Sequence, residues 1–274
     1  MKRSRPGRLG GGDVLASGFA VAALALLVGF ISLPLLSLVI WTVNEEAWRA
    51  MASPVAVDAL LLSIRTTAVT MAIILLIGTP AAYVLARADF PGKRLVDTLV
   101  DIPAVLPPSA AGIALLLAFG RMGLLGEHLQ ILGIQLSFTT AAVVMAELFV
   151  ATHFYVRQAA VGFSRVDRGV EEAAMVDGAS RMGVFSRITV PLAFPALLAG
   201  AVTAWARALG EFGGTIIFVG SFRGVTQTMP LAIYGALESD FDAAVALAVL
   251  VLGFSFAVIL AARFFGRKAQ ERAG

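Results

Sequence analysis

The chain contains no cysteine, which excludes a disulfide framework, a thiolate nucleophile and a Cys-ligated metal. Its only histidines are His128 and His153, too few to build a metal site without help. Charge is scarce as well: Asp, Glu, Lys and Arg make up 14% of the residues. The nucleophile-elbow pattern G-x-S-x-G and the zinc-protease pattern H-E-x-x-H are both absent. So is the phosphate loop G-x4-G-K-[ST]. The single Gly-Lys pair, Gly92-Lys93, has Arg87 where the first Gly belongs and is followed by Arg94. What is present is apolar sequence: 59% of the 274 residues are hydrophobic and the mean hydropathy is +0.89. A soluble domain of this length does not carry such a balance. The 27 Gly and 11 Pro are dispersed rather than gathered into a tract, so the excess is apolar rather than disordered. The chain is read as an integral membrane protein.

A bilayer core of ~30 Å asks for about 20 helical residues, and the stretches between charges supply six: 14–43, 60–86, 102–120, 137–160 (interrupted by Glu147), 188–220 and 243–265. No period-2 alternation of a barrel is seen. The fold class is therefore all-α, with six transmembrane helices in one bundle. The run after the basic tail 1–13 (Lys2, Arg3, Arg5, Arg8) is longer than a signal-peptide core and lacks a clean cleavage site, so it is read as a retained helix.

Orientation follows the basic residues. With the N-terminus inside, the inner segments collect Lys2, Arg3, Arg5 and Arg8, then Arg87, Lys93 and Arg94, then Arg157, Arg165, Arg168, Arg181 and Arg187, and finally Arg263, Arg267, Lys268 and Arg272. Both termini, including the tail 266–274, are placed in the cytoplasm. Trp41 and Trp48 then sit at the outer interface. This distribution accounts for the net charge of +3 as topology, so no nucleic-acid partner is inferred.

The inner connection from Arg157 to Arg187, with its loop proper over 161–187, is long and amphipathic, and loops of that length in a compact bundle usually have a task. Glu171–Val176 is a good helix former, Gly178 a natural left-handed stop, and Ala179–Thr189 resumes a helix that Pro191 interrupts. Within it, Glu172-Ala173-Ala174 is followed after three residues by Gly178, after nine more by Ile188, and then by Val190-Pro191. This spacing resembles the EAA motif of binding-protein-dependent ABC importer permeases, with Val190 in place of the usual Leu. The resemblance implies a type I importer permease fold (MetI-like) whose coupling helix docks on a cytoplasmic ATPase, with Glu172, Ala173, Ala174, Gly178, Ile188 and Pro191 in the coupling loop.

Three further stretches resemble the oxyanion branch of that family, the permeases for molybdate, tungstate and sulfate. They are Arg207-Ala208-Leu209-Gly210-Glu211-Phe212-Gly213-Gly214-Thr215, Ile102-Pro103-Ala104-Val105-Leu106-Pro107-Pro108, and Thr228-Met229-Pro230-Leu231-Ala232-Ile233-Tyr234. His153, Asp177 and Gly214 depart from the family's commoner residues. The resemblance implies a transport subunit rather than an enzyme. It would sit in a bacterial or archaeal inner membrane and pass a tetrahedral oxyanion, most readily molybdate, with tungstate or sulfate and thiosulfate as alternatives. It also implies two copies of an ATPase subunit that bind the ATP and Mg, an extracytoplasmic binding protein, and a second copy of this chain. A membrane-embedded enzyme and an ion-coupled carrier are the readings from other classes; the carrier has no use for an EAA loop.

Arg207 and Glu211 interrupt an apolar span, and ionisable residues at membrane depth face protein or water. Four residues apart, they share a helix face and can pair. Arg207 could instead lend positive potential to an anion path, but a fixed deep cation would hold a dianion that must leave. Ala206, Gly210 and Gly214 would form a small-residue stripe for close helix approach. Arg207, Gly210, Glu211, Gly214 and Thr215 are thus pore or interhelix candidates, with Ser109, Ser137, Thr139 and Thr140 as weaker hydroxyl candidates for the path.

Overall fold

The computed structural model describes residues 11–42 and 45–273; the basic tail with Lys2, Arg3, Arg5 and Arg8 lies outside them. Among the described residues all regular structure is helical. In chain order the α-helices are α1 Gly11–Trp41, α2 Glu45–Met51, α3 Pro54–Arg87, α4 Lys93–Val105, α5 Pro108–Phe119, α6 Gly126–Ile131, α7 Thr140–Ser164, α8 Arg168–Val176, α9 Arg181–Val184, α10 Val190–Leu209, α11 Gly213–Val219, α12 Met229–Leu237 and α13 Phe241–Ala273. A π-helical turn, Phe185–Thr189, joins α9 to α10.

Among the described residues, four segments are long and apolar enough to cross a bilayer unaided: Gly18–Trp41, α3, the run Arg181–Leu209 and Phe241–Phe264. The bent pair α4–α5 offers a fifth. The 25 residues of α7 are also sufficient in length, about 37 Å at 1.5 Å per residue. Its lower apolarity has a structural cause: α7 is the central helix, packed along its length against α3 and α10, so it meets protein more than lipid and tolerates Glu147, His153 and Arg157. The peripheral α1, in contrast, is exposed almost throughout from Gly18 on and apolar all round, as a lipid-facing helix must be.

Small residues set the central contacts. A Cβ added to Gly78 of α3 would lie 3.0 Å from the Tyr155 ring, and one on Gly162 of α7 would lie 2.6 Å from the Ala196 Cβ of α10. At both places the neighbouring side chain occupies the room that a Cβ would need, so the helices pack closely there. Around them Ile74, Ala151, Tyr155, Ala159, Phe163, Leu197 and Ala204 form the main core. A second cluster (Leu115, Ala142, Val143, Ala146, Phe218, Val219) joins α5, α7 and α11, and a third (Ala56, Ala59, Met229, Ala232, Leu247) joins α3, α12 and α13.

The helices differ from the expected spans in four places. The span 102–120 is not one helix: α4 and α5 meet at 117°, because Pro107 and Pro108 cannot continue an α-helix and Pro108 instead starts a new one at its first position. Nor is 188–220 continuous, since α10 ends at Leu209 and α11 begins at Gly213. Pro191, expected to interrupt a helix, lies near the start of α10 in an unbroken run from Arg181. The π turn before it accommodates the ring: Val190 N–H bonds Phe185 O, five residues back. Finally, α7 continues to Ser164, so Arg157 belongs to a helix and not to a loop.

Candidate functional site

At one end of the bundle, the sequence between α7 and α10 folds as helix, glycine turn, helix. Asp167 caps α8 by accepting the Gly169 N–H at 2.8 Å, and Ser180 caps α9 through Gly183 N–H at 3.1 Å. Between them Gly178 has φ +91°, the left-handed conformation that terminates helices. No atom lies within 4 Å of where its Cβ would be, so the position needs glycine for its dihedral and not for space. Glu172, Ala173 and Gly178 are exposed, Ala174 and Ile188 half-buried and Pro191 exposed. Val176, 87% exposed, and Met182, 72% exposed, stand beside them, an apolar edge for which this chain supplies no cover.

The residue that fastens this unit is Glu171, which the motif passes over. It is the one buried residue of α8. Its Oε2 lies 3.2 Å from Arg87 Nη2, and its Oε1 accepts the Thr189 hydroxyl at 2.6 Å. A cavity of about 530 Å³ adjoins it, lined by Pro80, Tyr83, Met175, Met182 and Phe185 among others.

Within the bundle, Arg207 Nη1 lies 2.6 Å from Glu211 Oε2, so the two interrupting charges are paired. The other oxygen of Glu211 accepts the Gly214 N–H at 2.7 Å. That second bond caps the first turn of α11 and helps to end α10, since the Gly213-Gly214 pair disfavours continuation. The helix break also overturns the small-residue stripe. Ala206 lies on α10, Gly210 is exposed just past its end, and Gly214 is buried on α11. Gly214 instead meets α5: a Cβ on Gly112 would stand 3.0 Å from Gly214 Cα. Thr215 is buried beside it. Of the weaker hydroxyl candidates, Thr139 caps α7, Thr140 donates to Val225 O at 2.8 Å, Ser137 is buried and Ser109 is exposed.

Two polar clusters escaped the sequence reading. Glu147 of α7 accepts the Thr66 hydroxyl on Oε1 and the Thr70 hydroxyl on Oε2, each at 2.7 Å. These threonines belong to a buried hydroxyl stripe on α3, Ser63, Thr66, Thr67 and Thr70, whose i, i+3, i+4, i+7 spacing is the signal that could have revealed it. Arg157, meanwhile, clamps α4: Nε and Nη2 donate to the two Asp101 carboxylate oxygens at 2.5 and 2.9 Å, Nη1 to Asp97 Oδ1 at 2.8 Å, and Nη2 to Asp97 O at 2.6 Å. Among the described residues no group of three or more His, Asp or Glu could hold a metal ion.

Several apolar helices long enough to span a bilayer, packed around a central α7, define the class as a multi-pass helical membrane protein. Comparison with known proteins gives the particular family. The family described as "Binding-protein-dependent transport system inner membrane component" matches residues 74–271, and the chain belongs to it. Among curated relatives, the molybdenum transport system permease protein ModB of Mycobacterium bovis is 41% identical over 231 residues, covering 84% of this chain and 88% of that protein. The Escherichia coli K12 protein of the same name is 36% identical, covering 79% and 96%. Among solved structures, a bacterial ABC transporter for import of the acidic polysaccharide alginate aligns with a TM-score of 0.75 at 16% identity, covering 93% of this chain and 96% of that one. The MetNI methionine ABC transporter aligns at 0.60 and 18%, covering 78% and 96%. The fold is thus that of type I ABC importer permeases, and the chain is a multi-pass transport subunit, not an enzyme.

Proposed function

We propose that this chain is the permease of an ATP-driven importer of molybdate, working as a homodimer with two ATPase subunits and an extracytoplasmic oxyanion-binding protein. The observation that carries the coupling is the capped α8–α9 unit with Glu172, Ala173 and Gly178 exposed: Glu172, Ala173, Ala174 and Gly178 form the contact with the ATPase, which binds ATP and Mg. The basic residues gathered at that end, Arg87, Lys93, Arg94, Arg165, Arg168, Arg181 and Arg187, support placing it and both termini in the cytoplasm. The substrate rests on the relatives named for molybdenum transport.

Closure of the ATPases draws two coupling helices together and opens the bundle outward to receive the anion from the binding protein. Arg207 is neutralised by Glu211 and so does not trap the dianion. The ion is passed by backbone N–H and hydroxyl groups along a hydrated path, since a naked dianion in low dielectric is prohibitively costly. Thr215, buried at the α5–α11 contact, is one hydroxyl candidate for such a path, whereas the Gly214 N–H is already taken by Glu211.

Reconstitution with the cognate ATPase and binding protein tests both parts. A Cβ at Gly178 has no atom of this chain within 4 Å, so a loss of ATPase co-purification in Gly178→Trp larger than that of the strain control Gly178→Ala marks the docking face. Survival of both uptake and co-purification in Gly178→Trp overturns the docking role. Tight sulfate binding by the cognate binding protein, without preference for molybdate, overturns the substrate.

A further inference from the structure

Glu171 distributes its two carboxylate oxygens between two spanning elements. Oε2 meets Arg87, the last residue of α3, and Oε1 takes the hydroxyl of Thr189, the last residue of the π turn that leads into α10. Arg87 Nη2 also donates to Val166 O at 2.8 Å, on the connection between α7 and α8. The Arg87 and Glu171 side chains are only 11% and 10% exposed, and Thr189 is fully buried. Directly alongside, Tyr83 of α3 packs on Phe163 of α7 and Phe185 of the π turn, with ring centroids 5.5 and 5.0 Å away.

We propose that Glu171 is the positioning residue through which movement of α8 reaches α3 and α10, distinct from the exposed Glu172 that faces the ATPase. This rests on the reading of α8 as the docking helix. Since α8 buries no other side chain, its hold on the bundle runs through this carboxylate. Apolar side chains slide past one another at little cost, but a buried charged hydrogen bond is directional and expensive to leave unmade. It therefore carries displacement instead of dissipating it. The Thr189 bond ends on a π turn, a local under-winding that can convert to α geometry by a one-residue shift. Such an element has two discrete arrangements, the kind that a small displacement can select between.

The test uses the full complex in proteoliposomes with its ATPase and molybdate-loaded binding protein, reading molybdate imported per ATP hydrolysed. Glu171→Gln keeps an acceptor for Thr189 but removes the ion pair, Glu171→Ala removes both, and Arg87→Glu with Glu171→Arg exchanges the charges. In monodisperse Glu171→Ala complexes the ATPase remains bound and hydrolyses ATP, while import per ATP falls at least tenfold. Glu171→Gln falls less, and the exchanged pair recovers at least threefold over Glu171→Arg alone. Unchanged import per ATP in Glu171→Ala overturns the inference. Loss of the ATPase from well-folded Glu171→Gln also does so, because the residue would then shape the docking face itself. The docking reading is tested separately: the chain has no cysteine of its own, so Ala173→Cys in the otherwise unaltered complex is the single thiol cross-linking site on this subunit. No cross-link to the ATPase overturns both; a cross-link with unchanged coupling in Glu171→Ala overturns this inference alone.

Discussion

Replacing Arg157 by Met would release α4 from the bundle. No residue of α4 is buried, and the helix packs chiefly on α7. Its attachment is the guanidinium of Arg157 on Asp97 and Asp101, with His153 Nδ1 within 3.1 Å of Val100 O nearby. Charge-assisted hydrogen bonds in a buried setting contribute about 1.5–3 kcal/mol each. Here the Arg157 and Asp97 side chains are 31% and 33% exposed, which brings the network closer to the surface range, and ~2 kcal/mol for the whole clamp is a reasonable figure. At 1.4 kcal/mol per tenfold, this corresponds to about 30-fold. A 13-residue helix is marginal alone, so undocked α4 exchanges its amides. Hydrogen exchange read by mass spectrometry should show protection of 94–105 falling about 30-fold in Arg157→Met, several-fold in Arg157→Lys, and not at all in the segment 142–154 of α7. Unchanged protection of α4 would refute the reasoning, because α4 would then be held by the bilayer surface and not by the clamp.

Other substitutions probe the interior. Glu211→Ala leaves Arg207 uncompensated and Gly214 N–H uncapped, at a cost of about 3–5 kcal/mol; thermal unfolding in detergent should fall sharply, and Arg207→Met with Glu211→Met should recover part of it. Gly112→Ala puts a methyl carbon 2.9 Å from Ile217 Cβ and 3.0 Å from Gly214 Cα, an overpacking of about 1–3 kcal/mol that should lower both the melting temperature and uptake. Changing Thr66 and Thr70 together to Val strips both hydroxyl donors from Glu147; stability should fall, and adding Glu147→Gln should restore some of it, whereas no change in the melt on the double substitution would argue that Glu147 finds other donors.

The parts of this fold that are local in sequence could be read from it. The α8–α9 unit is announced by Asp167, Ser180 and Gly178, because caps and left-handed stops act within a few residues. Long apolar runs likewise announce the outer helices, and the four-residue spacing of Arg207 and Glu211 announces their pair. Interactions closed by distant chain were not legible. Glu147 looked like an interruption because its donors lie on α3, and Arg157 looked like a loop boundary because Asp97 and Asp101 lie on α4. Counting from charge to charge treats every charged residue as facing water, which fails where the charge has a partner. Glu171 was passed over for a related reason, since a motif names the residue that meets a partner, whereas burial identifies the one that holds the motif in place. The Pro107-Pro108 pair is a local signal of a helix break, but the 117° angle between α4 and α5 depends on how each packs on the bundle.

The meeting of α5 and α11 has a mechanical consequence. Where Gly112 faces Gly214, a Cβ on Gly112 would lie 2.9 Å from Ile217 Cβ and 3.0 Å from Gly214 Cα and O, so the two helices approach with little room for a side chain to rearrange. Close packing of this kind leaves little slack between the two short helices. The cavity beside Glu171, with its methionines, is compliant by comparison, since unbranched thioether side chains deform readily. The bundle thus combines a deformable region beside α8 with a closely packed joint between α5 and α11.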